Sequence, residues 1–250
     1  MPGMPTPSED LTEPAARVND YDRFADVYDA QNASGIMNAY YERPEILALA
    51  GDVAGHRILD AGCGSGPLFA ELRDRGAAVS GIDSSTGMLE LARRRLGGKA
   101  DLQAADLRDP LPFPDGAFDD VIASLVLHYL RDWGPTLAEF RRVLKDGGRL
   151  IVSVDHPFTI HASQRADGEE TDYFATYDRI EEWTVGGQTM AMRFWNRPLH
   201  AMTDAFAAAG FRISTISEPL PLPEARELFP DEFRALSADS GFLFFVLEAA

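Results

Sequence analysis

The 250-residue chain has one cysteine, Cys63, so it can form no internal disulfide framework. That fits a reducing, cytoplasmic setting. Positive charge is scarce. Lys and Arg total 23 against 40 Asp and Glu, a net charge of −17 at pH 7. A surface this acidic repels phosphate backbones and anionic lipid, so neither nucleic acid nor a membrane is an expected partner. Long apolar runs are also missing. The longest lies near Val121 to Leu127 and falls far short of the roughly 20 residues that span a bilayer. MPGMPTPSEDLTEP lacks the apolar core of a secretory signal. No spacing of His, Cys, Asp and Glu resembles a metal site, and none is expected.

What remains is an ordinary globular composition, 45% hydrophobic and 25% charged. Residues 1–17, rich in Pro, Ser, Thr and Glu, read as a flexible tail, and 18–250 as a single domain. Short β-rich runs at 57–61, 77–82, 100–104, 118–124 and 149–155 alternate with helical patterns at 67–75, 85–96 and 132–145. Such alternation predicts an α/β fold, a mostly parallel sheet with helices on both faces. Residues 178–195 read as a hairpin around Gly186-Gly187. A helix at 198–209, a strand at 211–217, a Pro-rich connection and a last strand at 241–248 follow. Residues 18–48 would form an N-terminal helical cap, and 156–196 a lid-like insertion.

The first predicted strand runs into ILDAGCGSG, residues 58–66. Alternating glycines between a strand and a helix mark a loop where backbone approaches a ligand. A phosphate loop would need a lysine that is absent here. A dinucleotide fingerprint would place a third glycine where Pro67 stands, and that proline removes an amide a pyrophosphate would use. The loop therefore favours a nucleoside without phosphates. Asp83, 21 residues after Gly62, can accept both ribose hydroxyls, and Asp106 can accept from an exocyclic adenine amine. Each alone could equally be a turn or helix cap. Their placement after successive strands favours binding.

These stretches resemble the class I S-adenosylmethionine-dependent methyltransferases of the small-molecule kind. ILDAGCGSG resembles the first motif, GIDSS the acidic ribose motif, AADLRDPLPFPDGAFDDVIASLVLHYL the third and fourth strand region, and KDGGRLIVSVD the fifth strand. The resemblance implies a Rossmann-like seven-stranded sheet in the order 3-2-1-4-5-7-6, with S-adenosylmethionine bound at the switch point. It implies that Gly62, Cys63, Gly64 and Gly66 lie along the methionine part of the cofactor. Asp60 would hold the loop or meet the amino group, and Asp83 with Ser84 the ribose. Met88, Ala105, Asp106 and Leu107 would frame the adenine, and Ser124 would lie near the methionine.

Tyr21, Phe24, Ala25 and Tyr28 share a helix face by spacing. Tyr21 and Tyr28 are candidates for the cofactor's carboxylate end. Cys63 has no activating neighbour and reads as a filler. A base is needed only if the acceptor has a proton to lose. His156, just beyond the fifth strand, is the first candidate and His128 the second. The expected activity is methyl transfer to an O, N or C atom of a small organic molecule, a secondary metabolite among the candidates. A non-catalytic cofactor-binding module and a nicotinamide (NAD)-dependent oxidoreductase are the alternatives. A monomer or homodimer is expected.

Overall fold

The structure is a computed structural model and describes residues 18–23, 25–185 and 187–250. The expected tail 1–17 and Phe24 lie outside the described residues. In chain order the elements are α1 (Ala25–Ser34), α2 (Arg43–Ala50), β1 (Arg57–Ala61), α3 (Pro67–Asp74), β2 (Ala78–Asp83), α4 (Thr86–Leu96), β3 (Asp101–Ala104) and β4 (Phe118–Ser124). Then come α5 (Gly134–Val143), β5 (Leu144–Asp155), α6 (Pro157–Ala166), β6 (Tyr177–Val185), β7 (Gln188–Asn196), α7 (Leu199–Ala208), β8 (Phe211–Ser217), α8 (Ala225–Leu228), α9 (Pro230–Leu236) and β9 (Phe242–Ala249). A 3-10 turn at Tyr21–Arg23 precedes α1, and a π-helical segment, Ile36–Glu42, runs into α2.

Seven strands form one sheet in the order β3-β2-β1-β4-β5-β9-β8. The pairs among β1 to β5 are parallel, and β9 is antiparallel to both its neighbours. This is the expected Rossmann-like order, with β6 and β7 set apart as a two-stranded sheet. The central strands are apolar on both sides because both faces are covered. Leu59, Val121, Leu150 and Phe245 join one core, with Leu137, Phe140 and Phe206. Their chain neighbours Ile58, Ile122, Ile151 and Phe244 join the opposite core, with Ile46, Phe69 and Leu72.

Two boundaries differ from expectation. The helix expected over 132–145 stops at Val143, and β5 starts at Leu144 rather than at 149. Leu144 pairs with Phe118 across a register shift, and Gly147 takes φ +72° within the strand, so the glycine turn is absorbed as an irregularity of β5. The insertion is more than a hairpin. Its first part is α6, which His156 and Pro157 start: Pro157 sits at the first helical position and needs no amide bond. The carboxyl ends of β1 and β4, where strand order reverses, carry the site.

Candidate functional site

Gly62, Gly64 and Gly66 all have left-handed backbone, at φ +82°, +53° and +82°. The Gly62 and Cys63 amides donate to the Ile82 carbonyl at 2.8 and 2.9 Å, tying the loop to β2. A Cβ on Gly62 would meet the Val126 side chain at 2.8 Å, whereas one on Gly64 would meet nothing within 4 Å. Gly64 is therefore the open floor of the loop. Gly66 does something else. It does not line the cavity, and its Cβ would strike Leu96 Cδ1 at 2.8 Å. It lets α3 and α4 pack closely, a role beside the cofactor contact expected of it. The Cys63 thiol lines the cavity but is buried, and burial beside Asp60 pushes its pKa far up, so it stays protonated and unreactive.

The cavity against this loop has a volume of about 750 Å³. Of the expected cofactor residues, Tyr21, Tyr28, Asp60, Gly62, Cys63, Gly64, Asp83, Ser84, Met88, Ala105, Asp106, Leu107 and Ser124 all line it. Asp83 spans the loop and the start of α4. Its Oδ2 accepts from the Gly64 amide at 2.9 Å and its Oδ1 from the Ser85 amide at 2.8 Å. Ser85 caps α4 through the Met88 amide at 3.0 Å, which sets the buried Met88 in the wall. Asp106 is clasped by Arg108, with Nε to Oδ1 at 2.9 Å, and this holds its carboxyl below the usual range. Asp60 is buried, and its Oδ2 has no hydrogen-bond partner among the described residues. Burial, reinforced by Asp83 and Glu42, pushes its pKa up to about 8.

Sequence reasoning missed several wall residues. Glu42 ends the π-helical segment, is buried, and its Oε1 accepts from Ser124 at 2.7 Å and Ser153 at 2.6 Å. Burial raises its pKa as well. Nothing in YYERPE signals a buried acid, although a π-helical turn is often functional. Tyr129 also lines the cavity, and its hydroxyl lies 2.5 Å from that of Tyr21. Burial raises both phenol pKa values well above the ordinary range, so neither ionises readily. Tyr21 meets Tyr28 edge-on at 5.0 Å, and Tyr28 stacks on Trp183 of β6 at 6.4 Å. Tyr21 lies in the 3-10 turn before α1, so the two tyrosines meet although they share no single helix.

The segment before α1 is fastened on two sides. Asn19 Oδ1 accepts from the Arg193 amide at 2.7 Å, joining the segment to β7. Asp22 Oδ1 accepts from Ser85 Oγ at 2.6 Å and from the Gly87 amide at 2.8 Å. Arg193 and Trp195 of β7 line the cavity, while Met190, Met192 and Phe194 pack inward on Tyr21, Tyr129 and Trp183. The aromatic insertion thus divides between wall and its own packing.

Neither histidine lines the cavity. His156 caps α6 through the Thr159 amide, and its Nε2 meets Glu218 Oε1 at 2.8 Å. Both ring nitrogens are thus engaged away from the cavity. His128 is buried behind Tyr129, edge-on to its ring at 4.7 Å and to Phe194 at 5.2 Å. Burial lowers its pKa, so it is a neutral packing group.

An open glycine floor, an orphaned Asp60 oxygen and carboxylates without ion-pair partners suit a nucleoside ligand that carries cationic groups. S-adenosylmethionine is such a ligand. Comparison with known proteins agrees. Residues 59–152 match the model of the methyltransferase domain family. Demethylmenaquinone methyltransferase of Tropheryma whipplei is 36% identical over 140 residues, 55% of this chain and 58% of that protein. Malonyl-[acyl-carrier protein] O-methyltransferase of Serratia marcescens is 33% identical over 168 residues, covering 66% and 64%. The chain therefore spans about three fifths of these two relatives. A solved structure from Listeria monocytogenes, a candidate S-adenosylmethionine-dependent methyltransferase, superposes with TM-score 0.69 at 25% identity over 84% of this chain and 96% of that one. With the glycine loop, sheet order and acid-lined cavity already in hand, these likenesses place a methyltransferase domain at residues 59–152, in a chain with the fold of S-adenosylmethionine-dependent methyltransferases.

Proposed function

We propose that the chain transfers a methyl group from S-adenosylmethionine to an O, N or C atom of a small organic molecule. The observation that carries this is the continuity of one cavity. Most of the residues expected around the cofactor, with Tyr129 and with Arg193 and Trp195 of the insertion, line the same space. Its volume lies toward the upper part of the roughly 300–1,000 Å³ typical of small-ligand sites.

In this reading Asp83 receives the ribose diol and the Gly64 backbone admits the amino-acid end. Asp60 Oδ2, lacking any other partner, receives the ammonium. Met88, Ala105 and Leu107 hold the adenine, with Asp106 at its amine. When bound, the cofactor supplies an electrophilic methyl on sulfur, so the protein's task is position and exclusion of water. Tyr21, Tyr28 and Tyr129, closed over by β6 and β7, would meet the acceptor. Because the phenols stay protonated, they orient the acceptor and do not deprotonate it.

The acceptor presents an apolar face to Tyr21, Tyr28, Tyr129 and Trp195. The protein works in the cytoplasm, as its one cysteine suits a reducing setting. The test is turnover. Purified protein is incubated with S-adenosylmethionine and either a demethylated menaquinol or a malonyl thioester, chosen from the relatives' named substrates, and S-adenosylhomocysteine is measured. Acceptor-dependent product supports the reading. Tight NAD binding without S-adenosylhomocysteine binding would overturn it.

A further inference from the structure

Three cavity carboxylates, Glu42, Asp60 and Asp83, lie at the carboxyl ends of neighbouring strands. Among the described residues none of them has a salt-bridge partner within 4.0 Å. The arginines of the wall face other groups: Arg108 is clasped to Asp106, Arg43 Nε faces Glu71 at 3.6 Å, Arg193 Nε faces Asp178 at 3.4 Å, and Arg131 lies 5.4 Å from the Trp195 ring centroid. Burial pushes these acids toward their protonated forms, so each regains its charge most readily on meeting a cationic ligand, and the wall favours such a ligand.

Strand order assigns the three. Asp106 follows β3 and Asp83 ends β2, the places given to base and ribose. Asp60 is in β1. Glu42 reaches the ends of β4 and β5, because Ser124 and Ser153 both donate to its Oε1. A cofactor laid with adenine over β3 and ribose at β2 carries its sulfur and amino-acid end toward β1 and β4. An ammonium needs hydrogen-bond acceptors and finds the orphaned Asp60 Oδ2. A sulfonium has no N–H to donate and needs only a nearby negative charge. Glu42 fits that need. Two serines occupy Oε1 and fix the carboxyl group, and neither bond uses Oε2.

We infer that Glu42 is a cofactor-binding residue whose carboxylate balances the sulfonium charge of S-adenosylmethionine. This rests on the proposed cofactor reading. Its consequence is charge discrimination. The spent cofactor is a thioether and carries one positive charge fewer, so the site holds substrate cofactor in preference to product cofactor. Product release is eased accordingly.

The test compares binding of S-adenosylmethionine and S-adenosylhomocysteine to wild-type protein and to Glu42→Gln by calorimetry, all at one pH. Glutamine keeps both serine bonds and removes the charge. The expected result is about tenfold or greater loss of affinity for S-adenosylmethionine, with S-adenosylhomocysteine changed by no more than about twofold. Equal losses for both ligands, or no loss for either, would overturn the assignment. A thermal melt reports whether the variant folds. If it does not, wild-type protein decides with sinefungin, whose amine is a cation at the place of the sulfonium. Sinefungin and S-adenosylmethionine must then both bind more tightly than the thioether, and the reverse order overturns the inference. If wild-type protein binds none of the three, the cofactor reading itself has failed.

Discussion

At the residue scale the site is a balance of acids with different jobs. Asp83 organises backbone as well as facing the cavity, since it joins the Gly64 and Ser85 amides. Asp83→Ala should weaken S-adenosylhomocysteine binding by about 1–3 kcal/mol, read by calorimetry, because ribose hydroxyls and loop amides lose one charged acceptor. An unchanged dissociation constant would remove Asp83 from the ribose. Asp60 makes a prediction about pH. Its folded pKa is raised to about 8, well above the ordinary carboxyl value of about 3.9 in the unfolded chain. Protons bind more tightly to the folded form, so the contribution is fully present below about pH 4 and is lost as pH rises through about 8. Without cofactor, Asp60→Asn should therefore gain stability over wild type progressively from pH 5 to 9, by an amount of the order of a few kcal/mol at most. Paired thermal melts across that range check it, and a difference independent of pH refutes it.

At the element scale the insertion is held down by one buried cation. Arg179 of β6 donates from Nη2 to Asp155 at 2.5 Å and from Nε to Glu181 at 2.7 Å, and it also bonds Asn196. Its guanidinium lies 4.6 Å from the Phe194 ring centroid. Removing it would strand Asp155 and unpin the hairpin from the end of β5. Arg179→Ala should cost about 3–5 kcal/mol and open the hairpin to limited proteolysis. A variant as resistant as wild type would mean that the aromatic packing alone holds the hairpin. His156 begins the same insertion in a different role. As a cap bound to Glu218, its replacement by Ala should cost about 1 kcal/mol of stability while leaving turnover within about threefold of wild type. A loss of 100-fold or more would restore it as a base.

At the scale of the whole molecule, net charge sets solution behaviour. With −17 at pH 7, like-charge repulsion opposes the compact state. Raising sodium chloride from about 0.02 to 0.5 M shortens the screening length from roughly 20 Å to below 5 Å. The melting temperature should rise by a few degrees as a result, and a fall would mean that attractive ion pairs such as Arg142 with Glu139 and Asp115 outweigh the repulsion. The acidity has a local counterpart in the cavity, where Glu42, Asp60 and Asp83 are gathered and burial raises the pKa of each.

The strands were legible because a sheet buried on both faces writes near-continuous apolar runs, as in FDDVIAS and FLFFVLEA, whose period needs no partner to be read. The glycine loop and Asp83 were legible for a related reason, since backbone shape and an acid at a fixed distance along the chain are local properties. The Leu96 side chain against Gly66 was not legible, because a left-handed glycine looks the same in sequence whether it admits a ligand or a side chain. The pairing of His156 was not legible either, because position beyond a strand does not reveal that Glu218, 62 residues away, will meet its ring. Glu42 and Tyr129 had no local mark at all. Burial of one between Ser124 and Ser153, and the meeting of the other with Tyr21 108 residues away, arise only when distant segments close over one cavity. Secondary structure and the cofactor loop belong to the chain's own periodicity and backbone preference. Which polar groups face the ligand is decided by long-range packing, which fixes what each buried group is left without.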